Sequence, residues 1–150
     1  MQAIELLIEN EKLVSRLYAI YADKFIELRD FWVKKVVQEN THAELLEGIW
    51  SISQEIPSFF EEGRFSKEAI EMEASLVKDS IQKSKNCSLI EALAAAGEIE
   101  NGLIERSFFK VMPGDSNFVQ DAFAKIEQDT KKHREEIQEL RLKYAAKPTC

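Results

Sequence analysis

The sequence is short of everything that breaks a helix or knots a small fold. Among 150 residues there are only 5 glycines, 3 prolines and 2 cysteines. So few breakers predict long uninterrupted helices. Cys87 and Cys150 are far apart and form no C-x-x-C pair, which excludes a zinc ribbon or a rubredoxin-type metal knot within this chain. They read as incidental thiols, and a reducing cytoplasm is the simplest setting, with one disulfide still open. No apolar run approaches the roughly 20 residues that span a bilayer, so no membrane partner is expected. The opening "MQAIELLIENEK" has no basic leader, so no secretory signal is expected. Positive charge is also scarce. A net charge of -7 and a pI near 5.0 argue against nucleic acid or an anionic membrane surface as a partner. Cation binding fits that charge, although acidic soluble proteins are common.

What is present is helical periodicity. At this length a single domain over residues 1–150 is expected. The first stripe is Ile4, Leu7, Glu11, Val14, Tyr18, Tyr21 and Phe25, within a helix from about Gln2 to Leu28. Asp30 is a plausible N-cap for a second helix, about Phe31 to Ser53. Its stripe is Trp32, Val36, Glu39, His42/Ala43, Leu46 and Trp50, and Ile56-Pro57 ends it. The long connection 51–86 carries a further helix over 66–83. Ser88-Leu-Ile-Glu91 has the form of a capping box and opens a helix to about Val111. Its stripe reads Ile90, Leu93/Ala94, Gly97/Glu98, Asn101, Ile104/Glu105, Phe108 and Met112. "MPGDSN" (112–117) is the clearest turn. A last helix, Phe118 to about Tyr144, has the stripe Val119, Phe123, Ile126, Thr130, His133, Ile137, Leu140 and Tyr144. Two helical hairpins joined by a long link make an all-α, four-helix bundle with one crossover. No strand pattern competes with it.

Each main helix places polar groups in the middle of its apolar stripe: Glu11, then Glu39 and His42, then Glu98 and Asn101, then Thr130 and His133. Burying an ionised carboxylate without a partner costs several kcal/mol. Divalent cations at the bundle centre would reverse that sign. A glutamate at i and a histidine at i+3 lie about 60° apart on a helix, so both reach one ion. Their oxygen and nitrogen donors suit iron, manganese or zinc. Blander alternatives stay open. Glu11 and Glu98 could be buried ion pairs with Arg16 or Arg106, and His42 and His133 could be satisfied core histidines. The chain also looks duplicated: "EKLVSRLYAIYA" precedes "ENTH" much as "EIENGLIERSFF" precedes "TKKH", with Glu-to-His separations of 31 and 35 residues.

These residues resemble the ferritin-like superfamily, and within it the rubrerythrin-like di-iron proteins. That family places a lone Glu on helices one and three and Glu-x-x-His on helices two and four. The matching residues are Glu11, Glu39 with His42, Glu98 and His133. Tyr18, Tyr21-Ala22, Ala43 and Gly97 add to the likeness, which covers nearly the whole chain except 51–86. The resemblance implies two iron ions, or one, with manganese or zinc as alternatives. It implies reaction with hydrogen peroxide or dioxygen, Tyr18 as a hydrogen-bond donor in that chemistry, and an external electron donor, since no rubredoxin-like module is present. Bundles of this kind often pair, so a homodimer is expected, with Trp50, Phe59 and Phe60 as exposed apolar residues. Two departures stand out. Thr130 replaces the Glu of the second Glu-x-x-His, and Asn101 replaces an extra Glu. Three carboxylates leave two divalent ions with about +1 and one ion with about -1. A two-ion site then needs another anion. Asp129, roughly 40° off on the helix wheel, Glu100, a hydroxide or a bound substrate anion could serve. A non-enzymatic bundle that binds one ion, or none, is the alternative function.

Overall fold

The computed structural model describes residues 1–146, so Cys150 lies outside the described residues. Five α-helices make up the fold, and no strand occurs among the described residues. They are α1 (Ala3–Lys24), α2 (Arg29–Glu55), α3 (Lys67–Lys83), α4 (Leu89–Glu105) and α5 (Asn117–Ala145). None is long and apolar enough to cross a membrane.

Local chemistry sets the boundaries. A Gln2–Glu5 capping box starts α1. It stops at Lys24, short of the expected Leu28, because Phe25 leaves helical geometry (φ −110°, ψ 79°). Phe25 stays buried beside Tyr21, with ring centroids 5.9 Å apart, and a 3-10 turn at Ile26–Leu28 reverses the chain. α2 therefore begins at Arg29, earlier than expected. Asp30 is not its cap; it sits in the first turn, where a carboxylate complements the helix dipole. Ser66 caps α3 by accepting from the Ala69 N–H at 3.2 Å. Ser88 and Glu91 close the expected capping box on α4. That helix ends at Glu105, not near Val111. Arg106 Nε donates to Glu73 of α3 at 2.8 Å, Ser107 turns left-handed (φ 54°), and Phe109 packs edge-on against Phe123, 5.8 Å away. Gly114 (φ 93°) supplies the turn before α5.

α1 and α2 run antiparallel, joined by Lys12–Glu47 (2.8 Å) at one end and Tyr21 against Trp32 (5.0 Å) at the other. α4 and α5 pair in the same way, and α5 also runs antiparallel to α2, with Lys35 facing Glu136 at 3.3 Å. α3 returns the chain along α1, since Lys24 Nζ donates to the carbonyls of Ser84 and Lys85 at 2.7 and 2.9 Å. α1 and α5 thus point one way and α2 and α4 the other. The close approach of α3 to α4 occurs at Gly102, where an added Cβ would collide with the Glu73 carboxylate. Gly97 is no such point: a Cβ there would come no nearer than 3.4 Å to Arg141, an ordinary contact. Trp50 and Phe59 are half-buried and Phe60 is buried, so the exposed aromatic patch expected there is absent. Phe60 packs on Phe123 at 5.6 Å instead.

One buried ion pair pins the segment 56–66 to the turn before α5. Arg64 grips Asp115 with both terminal nitrogens, one at 3.0 Å, and lies over the Phe60 ring at 4.4 Å. Asp115 also accepts from the Met112 N–H at 2.8 Å. Removing one partner of a buried pair strands the other, at about 3–5 kcal/mol. Asp115→Ala is therefore expected to lower Tm by about 6–15 °C in thermal denaturation. A shift under 2 °C would show that the pair does not hold this end of the fold.

Candidate metal centre

The four helices that carry the polar interruptions bring five titratable side chains together. Glu11 of α1, Glu39 and His42 of α2, Glu100 of α4 and His133 of α5 are all at most 1% exposed. They form two groups that share Glu39: Glu11–Glu39–His42 and Glu39–Glu100–His133. Within each group the candidate ligand atoms lie within 4.8 Å of one another. His42 Nδ1 is 3.4 Å from one Glu39 oxygen and 3.7 Å from Glu11. His133 Nδ1 is 3.2 Å from the other Glu39 oxygen and 3.4 Å from Glu100. The two imidazoles lie nearly parallel, 6.2 Å apart.

Four of the five are residues the sequence pattern brought forward. The fifth differs. Glu98 is exposed and borders a surface hollow with Gly97, Asn101, Arg134 and Arg141. Two residues on is about 200° around a helix, so Glu98 and Glu100 face opposite ways. The buried face of α4 is Ala92, Leu93, Ala96, Ile99, Glu100 and Leu103. The expected stripe was rotated because "ALAAAG" is small and apolar on every side, which leaves the period without a phase. The Ile99–Leu103 spacing was the one available signal. With Glu100 as the partner, the second Glu-to-His separation is 33 residues, nearer the 31 of the first half. Asn101 points away from the centre and donates to Glu105 at 3.0 Å. Arg106 neutralises Glu73, not a residue of the cluster.

The supporting contacts are specific. His42 Nε2 is 2.8 Å from Asp129 Oδ2, and His133 Nε2 is 2.7 Å from Gln38 Oε1. Each imidazole therefore donates from Nε2 and turns Nδ1 to the carboxylates. That is the orientation metal-ligating histidines adopt when a polar partner fixes the tautomer. Tyr18 OH donates to Glu100 Oε1 at 2.7 Å. Thr130, where the resemblance implies a glutamate, is buried and donates back to the Ile126 carbonyl at 2.7 Å. Asp129 does not enter either ligand group; it serves His42, with Lys125 at 3.2 Å on its outer side. Gln38 was missed because an amide one residue before a stripe glutamate carries no sequence signal.

No family model matches the chain, and comparison with curated proteins and with solved structures gave no match.

What remains unpaired decides the chemistry. Both oxygens of Glu11, both of Glu39, Glu100 Oε2 and His42 Nδ1 are buried without a hydrogen-bond partner. Such groups are rare in folded proteins and costly. The protonation equilibria carry the same strain. Burial pushes the Glu11 carboxyl well up, and the Glu39 charge adds to it. Burial also raises Glu100, again with Glu39 adding. Burial opposes ionisation of Glu39 as well, but the adjacent Glu11 carboxyl and the His133 and His42 imidazoles outweigh it and hold that carboxyl well below the usual range. Burial disfavours charge on His42, yet Glu11 and Glu39 push it up to about 11. Glu100 and Glu39 likewise lift His133 to about 9. Without metal, protons occupy the Nδ1 positions where a cation would be stabilised. The donor set, three carboxylates and two imidazole nitrogens, suits iron, manganese or zinc.

Proposed function

We propose that this is a ferritin-like metal protein of rubrerythrin type, holding two divalent ions, iron foremost, between α1, α2, α4 and α5 for reaction with hydrogen peroxide or dioxygen. The observation that carries the reading is the set of buried carboxylate oxygens, most of them without a hydrogen bond, converging on two imidazoles in two groups that share Glu39. The up-down-down-up order of α1, α2, α4 and α5, with α3 in the crossover, supports it. When bound, the ions would supply one-electron redox chemistry toward the oxidant. The chain's own residues do the rest. Glu39 would bridge, Glu11 and His42 would hold one side, and Glu100 and His133 the other. Tyr18 fixes Glu100 by its hydroxyl, and the burial of all five side chains, at most 1% exposed, keeps bulk water out. Three carboxylates leave two divalent ions with about +1, which favours a hydroxide or other small anion completing the site. Electrons would come from a separate donor protein.

Anaerobic loading with Fe2+ is expected to give close to two ions per chain. Peroxide should then oxidise the loaded protein faster than free Fe2+. The loaded protein should also melt about 5–10 °C higher, since a ligand at 100 times its Kd adds about 2.7 kcal/mol. Fewer than about 0.2 ions per chain would end the reading. A second reading, one ion stored or delivered without turnover, is favoured by Thr130, whose hydroxyl is already committed to Ile126. One tightly bound ion with no peroxide consumption would select it.

A further inference from the structure

The two halves of the centre use the same residue types but are not equivalent. His42 leans on a carboxylate, Asp129, whereas His133 leans on the neutral amide of Gln38. A charged acceptor on the far nitrogen makes the imidazole a stronger donor to a metal, and such partners are worth about 10–100-fold in affinity. The Lys125 ammonium that touches Asp129 is half exposed, so solvent screens its effect. The carboxylates differ in the same direction. Neither Glu11 oxygen has a hydrogen-bond partner, whereas Glu100 lacks one only at Oε2, because Tyr18 donates to Oε1 at 2.7 Å and His133 Nδ1 lies 3.4 Å from it. A cation at Glu100 must therefore share that oxygen with a hydroxyl. Finally, Glu39 belongs to both halves. Whichever ion arrives first takes most of its charge, and the second meets both a depleted bridge and a like charge nearby.

We infer that the centre fills in a fixed order. The first divalent ion goes to Glu11–Glu39–His42, and Glu39–Glu100–His133 accepts a second ion at least about tenfold more weakly. This inference rests on the metal-centre reading above and adds the order and its cause: Asp129 and Gln38 act as unequal positioning residues behind the two imidazoles.

The chain has only two histidines, one in each half, so the order can be read residue by residue. The protein is labelled with 15N-histidine and titrated with Zn2+ under nuclear magnetic resonance. Signals are assigned from His133→Gln or, if that variant does not fold, from His42→Gln. Up to one equivalent, the His42 resonances should convert to the bound form while those of His133 stay largely unchanged. His133 should follow only beyond one equivalent. In Asp129→Asn, the two histidines should convert together, with first-ion affinity reduced about tenfold or more. Parallel conversion in the wild type, or His133 first, overturns the order while leaving the metal centre intact. An unaltered His42 preference in Asp129→Asn overturns the assigned cause. No change in either histidine at several equivalents of Zn2+ overturns both the order and the reading beneath it.

Discussion

Glu39→Gln is expected to cost both ions at once, with apparent affinity falling more than about 100-fold at each half. Glu39 is the one side chain common to both ligand groups. Its two oxygens face different histidines, 3.4 Å from His42 and 3.2 Å from His133. Glutamine keeps the size and the packing of the site but removes the charge that two cations would share. Glu11→Gln and Glu100→Gln, by contrast, each strip one half and should leave binding in the other. The three isosteric variants therefore separate a shared centre from two independent ones. Calorimetric titration with Zn2+ reads the stoichiometry, and the metal-induced rise in Tm should fall to under about 1 °C in Glu39→Gln. The metal-free variant should also be less stable than the wild type near pH 7, because two buried imidazoliums lose their common counter-ion. If Glu39→Gln lost only one ion, as Glu11→Gln does, the bridging role would be wrong.

The contrast between Glu39 and Glu98 shows what was legible in the sequence. On α1, α2 and α5 the polar interruptions sit among large apolar residues, such as Leu7, Trp32, Leu46, Phe123 and Ile137, which are buried as the stripes require. Their phase is fixed by bulk, so Glu11, Glu39, His42 and His133 could be placed on the inner face from spacing alone. α4 offers no such bulk around its middle. The helix was legible, and its capping box too, but not its rotation, and Glu100 displaced Glu98. The helix ends were misplaced where tertiary contacts override local signals. Phe25 leaves α1 to stay packed on Tyr21, and the chain after Arg106 folds inward to bury Phe108 and Phe109. The supporting shell was the least legible part. Asp129 is next to Thr130 in the sequence, which makes it a candidate ligand by position. Its short side chain instead reaches across to His42 of another helix, a contact that only the packing of α5 on α2 creates.

Metal affinity is expected to rise steeply with pH, by at least about 100-fold per ion between pH 6 and pH 8. Each half must lose the proton on an imidazole Nδ1 before that nitrogen can bind a cation, and one released proton makes the affinity change about tenfold per pH unit. In the folded, metal-free protein, Glu11 and Glu39 push His42 up to about 11, and Glu100 and Glu39 push His133 up to about 9. Both therefore start protonated throughout that window. The rise should level off near pH 9 for the His133 half and continue further for the His42 half. Stability of the metal-free protein should move the other way. A histidine whose pKa is higher folded than unfolded contributes its full stabilisation below the unfolded value, about 6.5. That contribution is lost as pH rises through about 9 for His133 and about 11 for His42. Bound metal keeps both imidazoles neutral and removes this decline. The gap in Tm between loaded and metal-free protein should thus widen steadily from pH 6.5 to 8.5 in Zn2+ held constant by a chelating buffer. A gap that stays constant or narrows would mean that protons and cations do not compete for the same nitrogens, and the two imidazoles would then be structural partners of the carboxylates and not ligands.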